Sequence, residues 1–443
     1  MKKIKVILLI LGLLTTNIVV ATKPRKPIES HIQPTIFSLT MVMIHDVVNP
    51  PAAARFYSYS MLSAQCILAA ESKEVLNPKV YIKGFPSINA NRPSEANANL
   101  AALYSILETG RLMLPSGFQL EADQQTLLEK WKNEGYADKE IKASVAYAKE
   151  ISPQIVTWAK IDGYLKLSTL RRYRPLKGDA YWYPTPPAYM EAVEPNWRTI
   201  KPMLIDSAGQ FKPAPPIVYS AEPTSDFYKF AKEVYEVGKN LTEEQRLIAA
   251  FWDCNPFAVN TSGHMSIGFK KMSPGGHWMN ITSIACNKIN LSFEKAIVLH
   301  SLVATTLMDA FISCWDEKYR SNRVRPETVI NRFWDIHWQP LLQTPPFPEY
   351  TSGHSVISTA SAEILTYFLG DHFAYTDDSE IYFDLKPRDF TSFRQAANEA
   401  AISRLYGGIH YMDAIKNGQA QGAKLGNFVL EKLKANGVKP FIN

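Results

Sequence analysis

Three short segments in the C-terminal half gather residue types that act on anions. Residues 318–326 read KYRSNRVRP and carry Lys318 and Arg325 ahead of Pro326. Residues 345–355 read PPFPEYTSGHS, a proline-rich turn leading into Ser352-Gly353-His354. Residues 403–410 read SRLYGGIH, with Arg404 before two glycines and His410 after them. Each segment also has a plain structural reading. Lys318 and its basic neighbours suit a solvated helix end, where cations oppose the dipole. Ser352 suits a helix cap. Gly407-Gly408 suits a helix stop, with His410 incidental. Taken together the residues suit one task. Lys318, Arg325 and Arg404 supply positive charge, and arginine adds a planar fork that fits oxyanions. Ser352 and the Gly353 N–H add neutral donors at a helix N-terminus, where anions bind. His354 and His410 can give, take or hold a proton or a ligand. Such a set fits a tetrahedral oxyanion that passes through a trigonal-bipyramidal state, with one histidine at each apex.

Helices must position these groups. Residues 296–315 are the most apolar stretch after the N-terminus, and Ser292 can cap the helix that contains them. The same stretch holds His300, Asp309 and several hydroxyls, which predicts a buried core helix rather than a membrane span. Lys318 follows Trp315 and Phe311 at helical spacing, so it points the way the buried face points and needs an anionic partner. Further helices are predicted over 55–70, within 119–149, from Thr242 (a capping box with Gln245), from just after His354 to about Tyr367, from Ser392 (a second box with Gln395) to Gly407, and from Asp413 as cap to about Asn436. Residues 171–223 hold ten of the 29 prolines, with several Tyr and Trp. That density forbids long helices and predicts an extended strap over the surface. Alternating strands are scarce, so the fold class is all-α, built of helical bundles. The organisation read from this pattern is a leader over 1–21, an N-terminal helical region over 22–170, a proline-rich connection over 171–235 and a C-terminal bundle over 236–443.

Composition narrows the partners. The chain has 443 residues, 46% hydrophobic and 20% charged, with mean hydropathy −0.15. These values exclude wholesale disorder and a polytopic membrane protein. Residues 1–21 show three lysines, an apolar run and a small-residue end, the architecture of a secretory signal peptide. It predicts a periplasmic or extracellular protein with no membrane contact after cleavage. Leaving Lys2, Lys3 and Lys5 aside lowers the net charge from +6 to +3, too mild to point to nucleic acid. Cys66, Cys254, Cys286 and Cys314 permit up to two disulfides in an oxidising compartment, but small buried thiols are the favoured reading. They contain no CxxC pair, so spacing predicts no zinc site. His31, His45, His277, His300, His337 and His372 match no ligand pattern. Homo-oligomerisation is left open, with no face singled out.

The order K-x6-RP, SGH, SR-x5-H resembles the signature of the vanadium-dependent haloperoxidase and type 2 phosphatidic acid phosphatase superfamily. The signature covers about 25 residues. A looser resemblance to the soluble bacterial haloperoxidase branch covers most of the chain, including residues 50–55, Trp197 and residues 275–278. The resemblance implies vanadate as cofactor, with phosphate as competing ligand, bound covalently by His410. It implies His354 as acid–base, Lys318 as the group that polarises bound peroxide, and Lys318, Arg325, Ser352, Gly353 and Arg404 as the oxyanion cradle. Hydrogen peroxide and halide are then the substrates. The alternative is a secreted acid phosphatase of phosphate monoesters with His410 as nucleophile. A second alternative is a non-enzymatic exported protein that binds oxyanions or surfaces. The lack of several membrane spans, the long N-terminal helical region and Phe347 favour the peroxidase. Thr351 replaces the proline usual before SGH, which should loosen that turn. Asp413 lies at HxxD rather than HxxxD, so it reads as a helix cap. Asp253 resembles an acid found behind the site in soluble members. Thr261-Ser262-Gly263-His264 repeats the TSGH string and reads as a loop that approaches the site, while His277 reads as a residue of its entrance.

Overall fold

The computed structural model describes residues 26–262, 265–268 and 271–442. The leader expected over residues 1–21 lies outside them. Five helices come first: α1 (Ile32–His45), α2 (Pro50–Glu71), α3 (Ala98–Met113), α4 (Leu120–Asn133) and α5 (Asp138–Ala159). Gly135, at φ +84°, separates α4 from α5 within the region read as helical. No α-helix then forms until α6 (Asp226–Lys239) and α7 (Glu243–Phe251). The hairpin of β1 (Val259–Ser262) and β2 (Met265–Gly268) follows, then α8 (Pro274–Lys288), α9 (Phe293–Ser321) and α10 (Pro326–Phe333). Last come α11 (Gly353–Leu369), the short pair β3 (Tyr375–Asp377) and β4 (Arg388–Phe390), α12 (Phe393–Tyr406) and α13 (Met412–Ala435). Both strand pairs are antiparallel, with Ser262 opposite Met265 and Asp377 opposite Arg388. Among the described residues everything else of regular length is helix, as an all-α chain requires.

The central element is α9. It is 29 residues long, or roughly 43 Å at 1.5 Å per residue. Its composition would allow a membrane crossing, but its apolar window is entirely buried inside the fold. On one side lies α2, whose Ala52, Ala53, Ala54 and Ala64 keep its surface thin. Ser58 Oγ donates to the Ala304 carbonyl at 2.7 Å, and Ser301 Oγ donates to the Met61 carbonyl at 3.1 Å. These bonds satisfy hydroxyls that burial would otherwise penalise. On the other side lie α11 and α13. Gly422 of α13 is needed there, because a Cβ would sit 2.2 Å from the Val356 carbonyl oxygen of α11. One continuous apolar core runs from Ile32 to Leu433, and a smaller cluster joins α6, α10 and α12.

The proline-rich strap is laced to the elements that carry the candidate site. Asp309 of α9 accepts the N–H groups of Met203, Leu204 and Ile205 at 2.9, 2.6 and 2.8 Å. The Val193 carbonyl accepts Trp315 Nε1 and the Tyr319 hydroxyl. Trp182 and Trp197 are fully buried, so the strap anchors itself by inserting rings.

Local signals held at most helix starts. Thr242 and Gln245 form the full capping box, and Ser292 caps α9. Two expectations need correction. Ser392 caps α12 by accepting from Gln395 N, but Gln395 Oε1 accepts from Thr391 N, so the box is only half made. Asp413 is not a cap: Tyr411 holds that position, and the Asp413 carboxylate is taken by Arg323. All four cysteines are buried free thiols, the reading the sequence favoured.

Candidate active site

The end of α9 sets the first group. Lys318 lies on its last turn and is completely buried, not solvated. Its Nζ donates to the carbonyls of Pro348, Glu349 and Thr351 at 3.1, 3.1 and 2.6 Å. The three ammonium hydrogens are thereby assigned, and the lysine's partners are backbone oxygens rather than a carboxylate. Asn322, at φ +50°, ends α9, and Arg325 occupies the N-cap position of α10 on the following loop without a side-chain capping bond. Arg325 is fully buried. Its Nε donates to the Phe347 carbonyl at 3.0 Å and its Nη1 to the Ile409 carbonyl at 2.8 Å, while Nη2 is buried with no partner.

Ser352 caps α11, accepting from Ser355 N at 3.3 Å. The simple structural role read for it is therefore real. Gly353 and His354 open the helix, so their N–H groups have no intrahelical acceptor. A Cβ at Gly353 would come no closer than 3.8 Å to another group, so the space in front of it is open. His354 Nε2 is buried and has no partner. Arg404, on the last turn of α12, is 2% exposed and donates through Nη2 to the Trp252 carbonyl at 2.7 Å. The glycine turn, with Gly408 at φ +76°, brings His410 back beneath it. His410 Nδ1 lies 2.8 Å from Glu349 Oε1, so Nδ1–H donates to the carboxylate and Nε2 keeps its lone pair. Nε2 accepts from Arg325 Nη1 at 3.2 Å.

Gly353, His354, Arg404 and His410 line one cavity of about 40 Å³, together with Asp253, Phe257, Phe311, Trp315 and Phe347. A water needs roughly 10–15 Å³ by this measure, so the space suits a small oxyanion and not an organic ring. Arg325 does not line it but adjoins it through His410, 3.2 Å from that ring's Nε2. Lys318 and Ser352 stand behind its wall, their polar atoms engaged as described.

Charge in this region is out of balance. Burial pulls Lys318 down to about 7, with Arg325 and Arg323 adding to the effect against Cys314 and Glu349. Burial likewise pulls Arg325 down to about 10 and lowers Arg404. His354 falls well below the ordinary histidine value through burial, then through Arg404, His410 and His277. His410 does so through burial, then through Arg325, Lys318, Arg404 and Arg323. Five groups are thus all pushed toward losing a proton, the mark of a dry site short of negative charge. A bound oxyanion would supply what is lacking. In apo-protein labelled with ¹⁵N-histidine, His354 and His410 should keep neutral-imidazole shifts at about pH 6, where an unperturbed ring is mostly protonated. Imidazolium shifts for either ring at that pH would contradict this electrostatic account.

Comparison with known proteins fixes the family. Residues 298–437 match the family model described as "VCPO second helical-bundle domain". A crystal structure of a bacterial vanadium-dependent iodoperoxidase superposes with a TM-score of 0.84 at 42% identity, covering 93% of this chain and 98% of that one. The chain belongs to the vanadium haloperoxidase family. Holo and apo crystal structures of a bacterial vanadium-dependent chloroperoxidase share the fold, with TM-scores of 0.67 and 0.63 at 15% and 14% identity. They cover 88% and 87% of this chain and 93% and 94% of their own. No curated protein matches the chain significantly.

Within this haloperoxidase the sequence reading missed two residues. Glu349 is fully buried and holds His410 Nδ1, the Tyr411 N–H and Arg323 Nε at 2.8, 3.0 and 2.6 Å. Arg323 is 4% exposed and bridges Glu349 to Asp413. The available signal was an acid three residues before SGH and a third arginine in the basic segment, each needing a partner if buried. Thr351 does not loosen its turn: its hydroxyl donates to Gln421 Oε1 at 2.8 Å and its carbonyl accepts from Lys318. Asp253 lines the cavity and accepts from Lys271 Nζ at 2.6 Å. His277 is not at the entrance but completely buried behind Trp252. Arg55, in the PPAAAR segment, binds Asp162 and the Ala159 carbonyl away from the cavity. In the repeated TSGH string, Thr261 and Ser262 belong to β1 rather than to a loop, and Gly263 and His264 lie outside the described residues.

Proposed function

We propose that this enzyme uses vanadate held at His410 to oxidise iodide with hydrogen peroxide. Iodide, peroxide and one proton give hypoiodous acid and water. The observation that carries the reading is the pairing of an unprotonated His410 Nε2 with an unpartnered His354 Nε2 in one cavity that Arg404 lines and Arg325 adjoins. The iodide assignment draws on the 42% identity to the iodoperoxidase. It also draws on the apolar walls, since Phe257, Phe311, Trp315 and Phe347 suit a soft, weakly hydrated halide.

The residues present fit a tetrahedral oxyanion. Arg325 Nη2 is a buried donor without an acceptor, and Gly353 leaves room where a side chain would intrude. His410 Nε2 is the ligand atom: Glu349 keeps the opposite nitrogen protonated, so Nε2 carries the lone pair, which accepts from Arg325 Nη1 until an anion takes it. Arg325, Arg404 and the Gly353 N–H hold anionic oxygens. Ser352 fixes the start of α11, and Lys318 ties down the turn before it while placing a positive charge behind the cavity. Bound vanadate supplies a Lewis acid that stays in its +5 state and makes peroxide electrophilic. His354 Nε2, neutral because burial and Arg404 depress it, takes a proton from incoming peroxide and returns it as the product leaves. Export to the periplasm or the exterior, read from residues 1–21, belongs to the same proposal.

Reconstitution tests it. Apo-protein should gain triiodide formation from iodide and peroxide on adding orthovanadate, and inorganic phosphate should compete. Bromide and chloride should react at lower rates. Hydrolysis of a phosphate monoester that vanadate merely inhibits would replace this reading with the phosphatase one.

A further inference from the structure

We propose that Cys254, His277 and Glu380 form a buried binding site for a divalent cation of the zinc class, against the wall of the oxyanion cavity. The three come from separate segments: the loop after α7, the first turn of α8 and the turn after β3. All are buried, at 3%, 0% and 4% exposure. This explains why the spacing of cysteines alone predicts no zinc site.

Their geometry is that of a ligand set. His277 Nε2 lies 2.8 Å from Asp377 Oδ2. The other Asp377 oxygen accepts from the N–H and hydroxyl of Ser379 at 3.1 and 2.7 Å. The carboxylate therefore fixes the ring, as it commonly does for metal-bound histidines, and leaves Nδ1 to face the other two residues. Trp252 stacks on the ring at 4.5 Å and holds its plane. Nδ1 is 3.5 Å from Cys254 Sγ and 3.3 Å from Glu380 Oε1. With zinc–sulfur bonds near 2.3 Å and zinc–nitrogen and zinc–oxygen bonds near 2.0–2.1 Å, tetrahedral coordination puts sulfur about 3.5 Å and oxygen about 3.3 Å from nitrogen. The observed edges match both values. Glu380 Oε1 makes no hydrogen bond, although it is buried and aimed into the cluster.

Chemistry selects the ion. One thiolate, one imidazole and one carboxylate suit zinc or its neighbours, whereas calcium and magnesium take oxygen sets. Thiolate and carboxylate together balance a dication. The nearby charges are already committed elsewhere: Asp253 pairs with Lys271, and Arg404 donates to the Trp252 carbonyl.

The test uses full-length protein, dialysed first against zinc and then against zinc-free buffer. Elemental analysis should find about one zinc per chain whether or not vanadate is added. Cobalt in its place should give a thiolate-to-metal charge-transfer band in the near ultraviolet. Cys254→Ser should abolish that band, and Glu380→Gln and Asp377→Asn should each weaken zinc binding by roughly tenfold or more. Circular dichroism of each variant separates lost ligands from lost fold. Wild-type protein that retains no zinc and shows no cobalt band, while still taking up vanadate, overturns this site and leaves the oxyanion reading untouched. The same zinc content in wild type and in a folded Cys254→Ser variant also overturns it.

Discussion

His410→Ala is expected to give a folded protein that releases vanadate on gel filtration and loses on the order of a thousandfold in kcat/KM for iodide, about 4 kcal/mol of transition-state stabilisation. His410 sits on a glycine turn outside α12 and α13, so its removal breaks no helix. Its ring meets Glu349 and Arg325, both of which keep other partners. The loss therefore falls on the anion, not on the scaffold. His354→Ala provides the contrast. It removes the group with the free nitrogen but spares the ligand atom, so vanadium content should persist while turnover falls by roughly 10²–10⁴. Vanadium analysis beside steady-state kinetics distinguishes the two. Equal vanadium retention by wild type and His410→Ala would remove His410 from the ligand role.

The fold was legible because its signals are local. Ser292, Thr242 and Ser352 cap helices as short polar residues do, and the apolar run after Ser292 could only be a core helix once Asp309 and His300 were counted. Asp309 proved to anchor three strap N–H groups, and His300 bonds Ser283 and the Ala296 carbonyl. The candidate site was legible where the chemistry is unusual: two histidines and three cations in ordered segments have few other uses. It was obscure where one residue acts through another. Glu349 looks like a turn residue in PFPEYTSGH, and nothing in its neighbours reveals that it meets His410, 61 positions away. Lys318 reads as an anion contact, yet three carbonyls occupy it, because a turn folded over a buried ammonium must offer its own oxygens. Cys254, His277 and Glu380 come together only through tertiary packing.

Glu349→Gln should show how the two buried layers are coupled. In the native carboxylate, Oε1 accepts from His410 Nδ1 and Tyr411 N, and Oε2 accepts from Arg323. Every neighbour is a donor. An amide has one oxygen and one NH₂, so in either rotation its NH₂ meets a donor. The amide is neutral in either rotation, so the buried Arg323 charge loses one of its two carboxylates, at a cost of roughly 3–5 kcal/mol. Arg323, the charged donor of the set, claims the amide oxygen, so the NH₂ faces His410 and the imidazole must accept at Nδ1 and carry its proton on Nε2. The lone pair meant for vanadium is then gone, and affinity should fall by about 10- to 100-fold. Asp413→Asn separates the two effects. It weakens the other carboxylate on Arg323 without touching the His410 hydrogen bond. Denaturant melts should therefore find both variants destabilised, while vanadate titration should find only Glu349→Gln weakened. Matching losses of vanadate affinity in the two would mean that Glu349 acts by holding Arg323 and not by setting the imidazole tautomer.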